Sequence, residues 1–129
     1  MASIVSKIIA GEMPGYFVWQ DDICVAIMTI QPINDGHLLV IPREDIDHWD
    51  DLPEAVAAHM LKVSKKLARA IKAAYPCQRV GLVIAGFEVP HTHIHLIPAN
   101  SLADFDFNDL SFAEGEQLQQ AADKIKAQL

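Results

Sequence analysis

The chain has 129 residues, 51% of them hydrophobic, and a formal net charge of −7. That length and composition imply one domain with a real core and argue against disorder. The acidic balance argues against a general nucleic-acid or anionic-membrane surface, which would carry a basic footprint, and no apolar run approaches the ~18 residues of a spanning helix. The opening MASIVSKIIAGE has no basic segment leading into a long apolar one, so no secretory leader is expected. Cys24 and Cys77 lack C-x-x-C spacing, and a reduced, cytoplasmic protein without disulfides follows as the expectation.

In chain order, Ser3 to Ala10 reads as a short helix, with Ser3 as N-cap, Ile4, Ile8 and Ile9 on its apolar side and Gly11 as its stop. GYFVWQ (15–20) and ICVAIMT (23–29) read as two strands joined at Asp21-Asp22. Residues 31–36 carry Pro, Asn-Asp and Gly, a turn by composition. HLLVIP (37–42) is a third strand stopped by Pro42. A charged loop follows to Asp51, with His48 and Trp49 inside it. Asp51-Leu52-Pro53-Glu54 is a D-x-x-E start signal. It opens a helix to about Ala74 whose stripe is Leu52, Val56, Met60, Val63, Leu67, Ala70 and Ile71. Its lysines and arginine read as a solvated face, and His59 falls at the stripe's edge. Arg79 to Ala85 is another strand, and Gly86 to Pro90 a connector. Beyond Pro98 the chain turns polar, with Phe105 and Phe107 alternating around Asp106. Ser111-Phe112-Ala113-Glu114 is a capping-box signature for a last helix bearing Leu118, Ala122, Ile125 and Leu129.

The chemistry concentrates in Pro90-His91-Thr92-His93-Ile94-His95-Leu96-Ile97-Pro98. Three histidines alternate with Thr92, Ile94 and Leu96, the period of a strand buried on one face, with prolines at both limits. At ~3.3 Å per residue, successive histidines stand ~6.6 Å apart and the outer two ~13 Å. Two of them suit one metal ion with ligands supplied elsewhere; all three suit an extended anionic ligand. Imidazole can also serve as nucleophile, acid or base near neutral pH.

At HTHIHLI the sequence resembles the histidine triad (HIT) family of nucleotide hydrolases and transferases, whose motif alternates histidine with apolar residues. The resemblance extends through SKIIAGEMPG (6–15) and GHLLVIP (36–42), in that order, over residues 3–98. It implies an α+β fold: a mainly antiparallel sheet with the long helix packed on it and a C-terminal helix. The expected organisation is a HIT-like domain over residues 1–110, with residues 111–129 as its helical extension. The activity implied is attack on the α-phosphate of a nucleoside phosphoramidate or dinucleoside polyphosphate through a nucleotidyl-histidine intermediate. His93 is then the nucleophile and His95 the donor to the phosphate. His91 orients His93, with His37 behind it.

The resemblance also implies an AMP-like substrate bound at Thr29, Ile30, Glu88 and Val89, no cofactor, and a homodimer in which two sheets join. Three departures stand out. Ser3 and Ser6 occupy the place where many relatives carry a zinc-binding C-x-x-C, so no metal is expected. Thr29 stands where relatives place an Asp or Asn for the ribose. Phe87 and Glu88 replace polar residues of the connector. Two other readings stay open: a nucleotide-binding protein with little catalysis, and a metal site using two of the histidines with a carboxylate such as Glu88.

Overall fold

A computed structural model describes residues 3–129. Five strands form one antiparallel sheet: β1 (Phe17–Gln20), β2 (Cys24–Met28), β3 (Leu38–Pro42), β4 (Arg79–Val83) and β5 (Ile94–Ala99), in the spatial order β1-β2-β3-β5-β4. Three α-helices accompany it: α1 (Ile4–Ile9), α2 (Glu54–Ala74) and α3 (Gly115–Lys126). The α+β expectation holds. Both free cysteines, Cys24 buried and Cys77 half-buried, are unbridged.

The register divides the side chains between two faces. Cys24, Ala26, Met28, Leu38, Val40, Ile94 and Leu96 join α2 and α3 in the main core. Val25, Ile27 and Ile41 point the other way and pack with Val5 of α1. Strands β2 and β3 are therefore apolar on both sides, which is why CVAIM and LLVIP run without polar alternation. α2 buries Met60, Val63, Leu67, Ala70 and Ile71, as its spacing requires. Leu67 is fully covered, and Leu67→Ala is expected to lower the unfolding free energy by about 2–5 kcal/mol. Urea denaturation at neutral pH checks this; a loss below about 1 kcal/mol would mean the site collapses freely.

Three boundaries differ from the sequence reading. Asp51 does not cap α2: residues Trp49–Asp51 form a 3-10 turn of their own, and Pro53 takes the N-cap position with no side-chain bond. The Pro53 carbonyl accepts from the Val56 and Ala57 N–H groups at 3.0 Å, while its side chain offers the first turn no acceptor. Ser111 likewise does not cap α3, which begins at Gly115 behind Glu114. Gly115 packs close against Tyr16: a Cβ there would lie 2.8 Å from the Tyr16 hydroxyl. Finally, β5 begins only at Ile94. The backbone N–H and hydroxyl of Thr92 both donate to the Ile46 carbonyl, at 2.7 and 2.8 Å, and the chain joins the sheet from Ile94 on.

Candidate active site

Two of the triad histidines face a cleft of about 450 Å³ on the α1 side of the sheet. That volume lies within the range of small-molecule sites. His93 and His95 line it with His37, Thr29, Ile30, Glu88 and Val89. All the residues expected at the site thus converge there except His91, which sits behind the cleft. The histidine face is not a wet surface: His91, His93 and His95 are all buried. Ile4, Ile8, Tyr16, Gln31, Phe107 and Asp109 are among the other residues of its walls. The last two come from the segment after β5, whose approach is a tertiary event with no local pattern to announce it.

The hydrogen bonds fix where each proton lies. The Ile33 backbone N–H, which can only donate, is 3.0 Å from His37 Nδ1. His37 therefore carries its proton on Nε2, which lies 3.0 Å from His95 Nδ1. His95 must then accept there and hold its own proton on Nε2. That Nε2–H is buried and has no partner among the described residues, so it is an orphaned donor on a ring that lines the cleft. Burial pushes His37 down to about 3 and His95 down to about 4, with the neighbouring imidazoles adding to the effect. Both rings are neutral at physiological pH.

His93 is oriented in the opposite sense. Its Nδ1 donates to the His91 carbonyl at 2.8 Å, leaving Nε2 bare. The His93 and His95 rings lie 5.0 Å apart, centre to centre. A bare imidazole nitrogen thus stands beside an imidazole N–H, the pairing needed to attack an electrophile and hold its oxygen. The Glu88 carboxylate is 3.8 Å from His93 Nε2. Among the described residues, no lysine or arginine lines the cleft.

His37 stands behind His95 rather than behind His91, a correction to the sequence reading. Gly36 makes this possible: its φ is +96°, and a Cβ there would come 2.9 Å from the Tyr75 ring. The turn closes against the end of α2 and delivers His37 to the sheet edge of the cleft.

His91 is tied elsewhere. Its Nε2 donates to the Pro42 carbonyl at 2.8 Å, and Nδ1 accepts from the Ser6 hydroxyl at 3.2 Å. Ser3 caps α1 by accepting from the Ser6 N–H at 3.1 Å. The place where the resemblance implies a zinc-binding pair in other members thus holds two hydroxyls and an imidazole already hydrogen-bonded. Asp45 lies at its edge, 3.3 Å from His91 Nδ1. His48 contacts Asp47 at 3.8 Å and is mostly exposed. This hard, partly exposed donor set without a thiolate does not fit a structural zinc ion.

Two other groupings could hold a cation by proximity alone: Glu88 with His93 and His95, and Asp21 with Cys24 and His59. In the first, a metal would need His95 Nε2 bare, which would force its proton onto Nδ1 against the His37 N–H. In the second, Asp21 accepts from Trp19 Nε1, His59 Nε2, and the backbone N–H groups of Ile23 and Cys24, all within 2.8 Å. Its lone pairs are spent on closing the β1–β2 turn and docking it to α2. Burial raises the Cys24 thiol to about 12, so no thiolate is on offer.

This arrangement of sheet, helices and triad belongs to a known class. The HIT domain family matches residues 10–102, and the chain is a member of that family. An uncharacterized HIT-like protein from Borreliella burgdorferi is 35% identical over 95% of this chain and 90% of its own. The adenosine 5'-monophosphoramidase HNT1 of Saccharomyces cerevisiae is 35% identical over 75% of this chain and 62% of its own. Among solved structures, a Hit-like protein involved in cell-cycle regulation from Bartonella henselae superposes with a TM-score of 0.85 at 30% identity, covering 98% of this chain and 96% of its own.

Proposed function

We propose that this protein is a nucleotide hydrolase that transfers the nucleotidyl group of a nucleoside phosphoramidate or dinucleoside polyphosphate first to His93 and then to water. The observation that carries this is the pair of opposed imidazole nitrogens: His93 Nε2 bare, His95 Nε2 protonated and unpartnered among the described residues. The family membership and the naming of a yeast relative as a phosphoramidase support it.

His93 Nε2 attacks the α-phosphorus, forming a P–N bond as the bond to the leaving group breaks. The His95 N–H donates to a phosphoryl oxygen and stabilises the charge that builds on it. The leaving amine takes its proton from solvent, through a water held by the Glu88 carboxylate. A water then attacks phosphorus, gives a proton to the same carboxylate, which returns it to solvent, and releases the imidazole. The His91 carbonyl keeps the bare nitrogen of His93 aimed, and His37 does the same for the His95 proton. The nucleoside lies along the apolar wall of Ile4, Ile8, Ile30 and Val89. Thr29 contacts the ribose; its Oγ accepts from the Gln31 N–H at 3.3 Å, leaving its own O–H to donate. Cytoplasmic residence and a homodimer joined through β4, the strand at one end of the sheet, complete this reading.

The test is turnover of adenosine 5′-phosphoramidate in excess chelator. Chelator-insensitive hydrolysis to AMP is expected. AMP binding without turnover would favour a binding protein, and activity lost to chelation would favour a metal site. Glu88→Gln should lower kcat by about 10-fold to 100-fold and remove one limb of its pH profile. An unchanged kcat and profile would take Glu88 out of the proton path.

A further inference from the structure

The segment after β5 is held in place at several points. Phe105 packs on Gly81 of β4, where a Cβ would run into its ring. Gln31 Nε2 donates to the Leu110 carbonyl at 3.2 Å, and the Ala113 N–H to the Ile30 carbonyl at 2.9 Å. Between these anchors Asn108 N–H donates to Asp106 Oδ1 at 2.9 Å, and Asp109 adopts a left-handed φ of +55°. An anchored segment of this kind presents its side chains at fixed positions.

One of them reaches the triad. The Phe107 ring meets His95 edge-to-face with centroids 4.9 Å apart, and meets His37 in the same manner at 6.4 Å. Leu39 and Val83 flank His95 in the sheet on either side, but they belong to the neighbouring strands. Phe107, from the segment after β5, packs against both imidazoles of the pair. The structure assigns Phe107 as a positioning residue: its ring seals the His37–His95 pair from water and holds His95 as the Nε2–H tautomer.

The cost of charge in a dry site explains the effect. A neutral imidazole keeps a single tautomer only while both nitrogens have fixed roles and water cannot supply alternatives. The other groups facing His95 are the His37 and His93 rings and the Glu88 carboxylate, with Asp109 further along the wall. Glu88 favours a protonated His95, and burial and the His93 imidazole oppose it. Excluding water is what lets the neutral form prevail with a carboxylate so near. Dryness also strengthens the His95–phosphate bond in the transition state.

The experiment follows the imidazole nitrogen resonances of His95 by NMR across pH 3.5 to 8 in the wild type, Phe107→Leu and Phe107→Ala. In the alanine protein the midpoint should rise by about 1 pH unit or more, and near neutral pH both nitrogens should move toward tautomer-averaged positions. The leucine protein, which keeps apolar bulk and hence the fold, should show a smaller rise. Only the kinetic consequence depends on the phosphoryl-transfer reading: kcat for the phosphoramidate falling ~10-fold with KM little changed. The NMR titration does not depend on it. A His95 midpoint and tautomer that match the wild type in both variants, or in the leucine variant should the alanine chain not fold, would overturn the assignment. Shifted resonances in a protein that turns over no nucleotide would leave Phe107 in place and sink the proposed reaction.

Discussion

His93→Ala lowers phosphoramidate turnover by ~10⁴-fold or more while AMP still binds within about 10-fold of the wild-type affinity. The split follows from the geometry. His93 Nε2 is the bare nitrogen of a ring that lines the cleft, and nothing else there can replace it: His95 presents a proton and Glu88 is a weak nucleophile. Binding draws instead on the apolar walls and on the His95 N–H, which this change leaves in place. Turnover and AMP titration on one preparation measure both. Equal loss of binding and rate would mean that His93 holds the ligand rather than reacting with it. A loss of less than about 10-fold would place the nucleophile elsewhere.

The second large effect is expected at a residue that touches no substrate. His37→Leu keeps the volume and removes the N–H that fixes His95. The Ile33 N–H loses its acceptor, and the His95 proton becomes free to move to Nδ1, away from the phosphate. We expect kcat to fall by about 10²-fold to 10³-fold. Stability carries a second signature. The folded protein resists protonating His37 until about 3 and His95 until about 4, whereas the unfolded rings take protons near 6.5. The unfolded state therefore binds more protons below pH 6.5, and stability falls as pH drops through that window. The slope is at most about 1.4 kcal/mol per pH unit for each ring. Urea melts at pH 7 and pH 5 should show this decline in the wild type and a shallower one in His37→Leu. A decline of the same slope in both would mean that His37 is not a buried neutral ring.

Much of this was legible in the residues. The alternation of HTHIHLI with apolar positions marked the reactive stretch, and the spacing of the α2 stripe named that helix's buried face. GHLLVIP placed His37 at a strand start near the triad, yet the strand pairing decides which triad member it serves: Leu39 lies opposite His95. Local pattern misled at both capping signals: Asp51 ends a separate 3-10 turn before α2 begins at Glu54, and α3 begins at Gly115, four residues after Ser111. The pairing of His59 with Asp21 joins residues 38 apart in sequence, and neither end announces it. Phe107 was the plainest omission. A phenylalanine in a polar stretch carries no sign of what it covers until Gly81 receives Phe105 and the segment folds back over the cleft.

In the proposed mechanism the nucleotidyl group rests on His93 before water takes it. The most direct measurement is the stereochemical course at phosphorus, using a P-chiral thiophosphoramidate hydrolysed in isotopically labelled water. Two in-line displacements, one by His93 and one by water, predict net retention of configuration. Net inversion would mean that water attacks phosphorus directly, and would contradict a covalent role for His93.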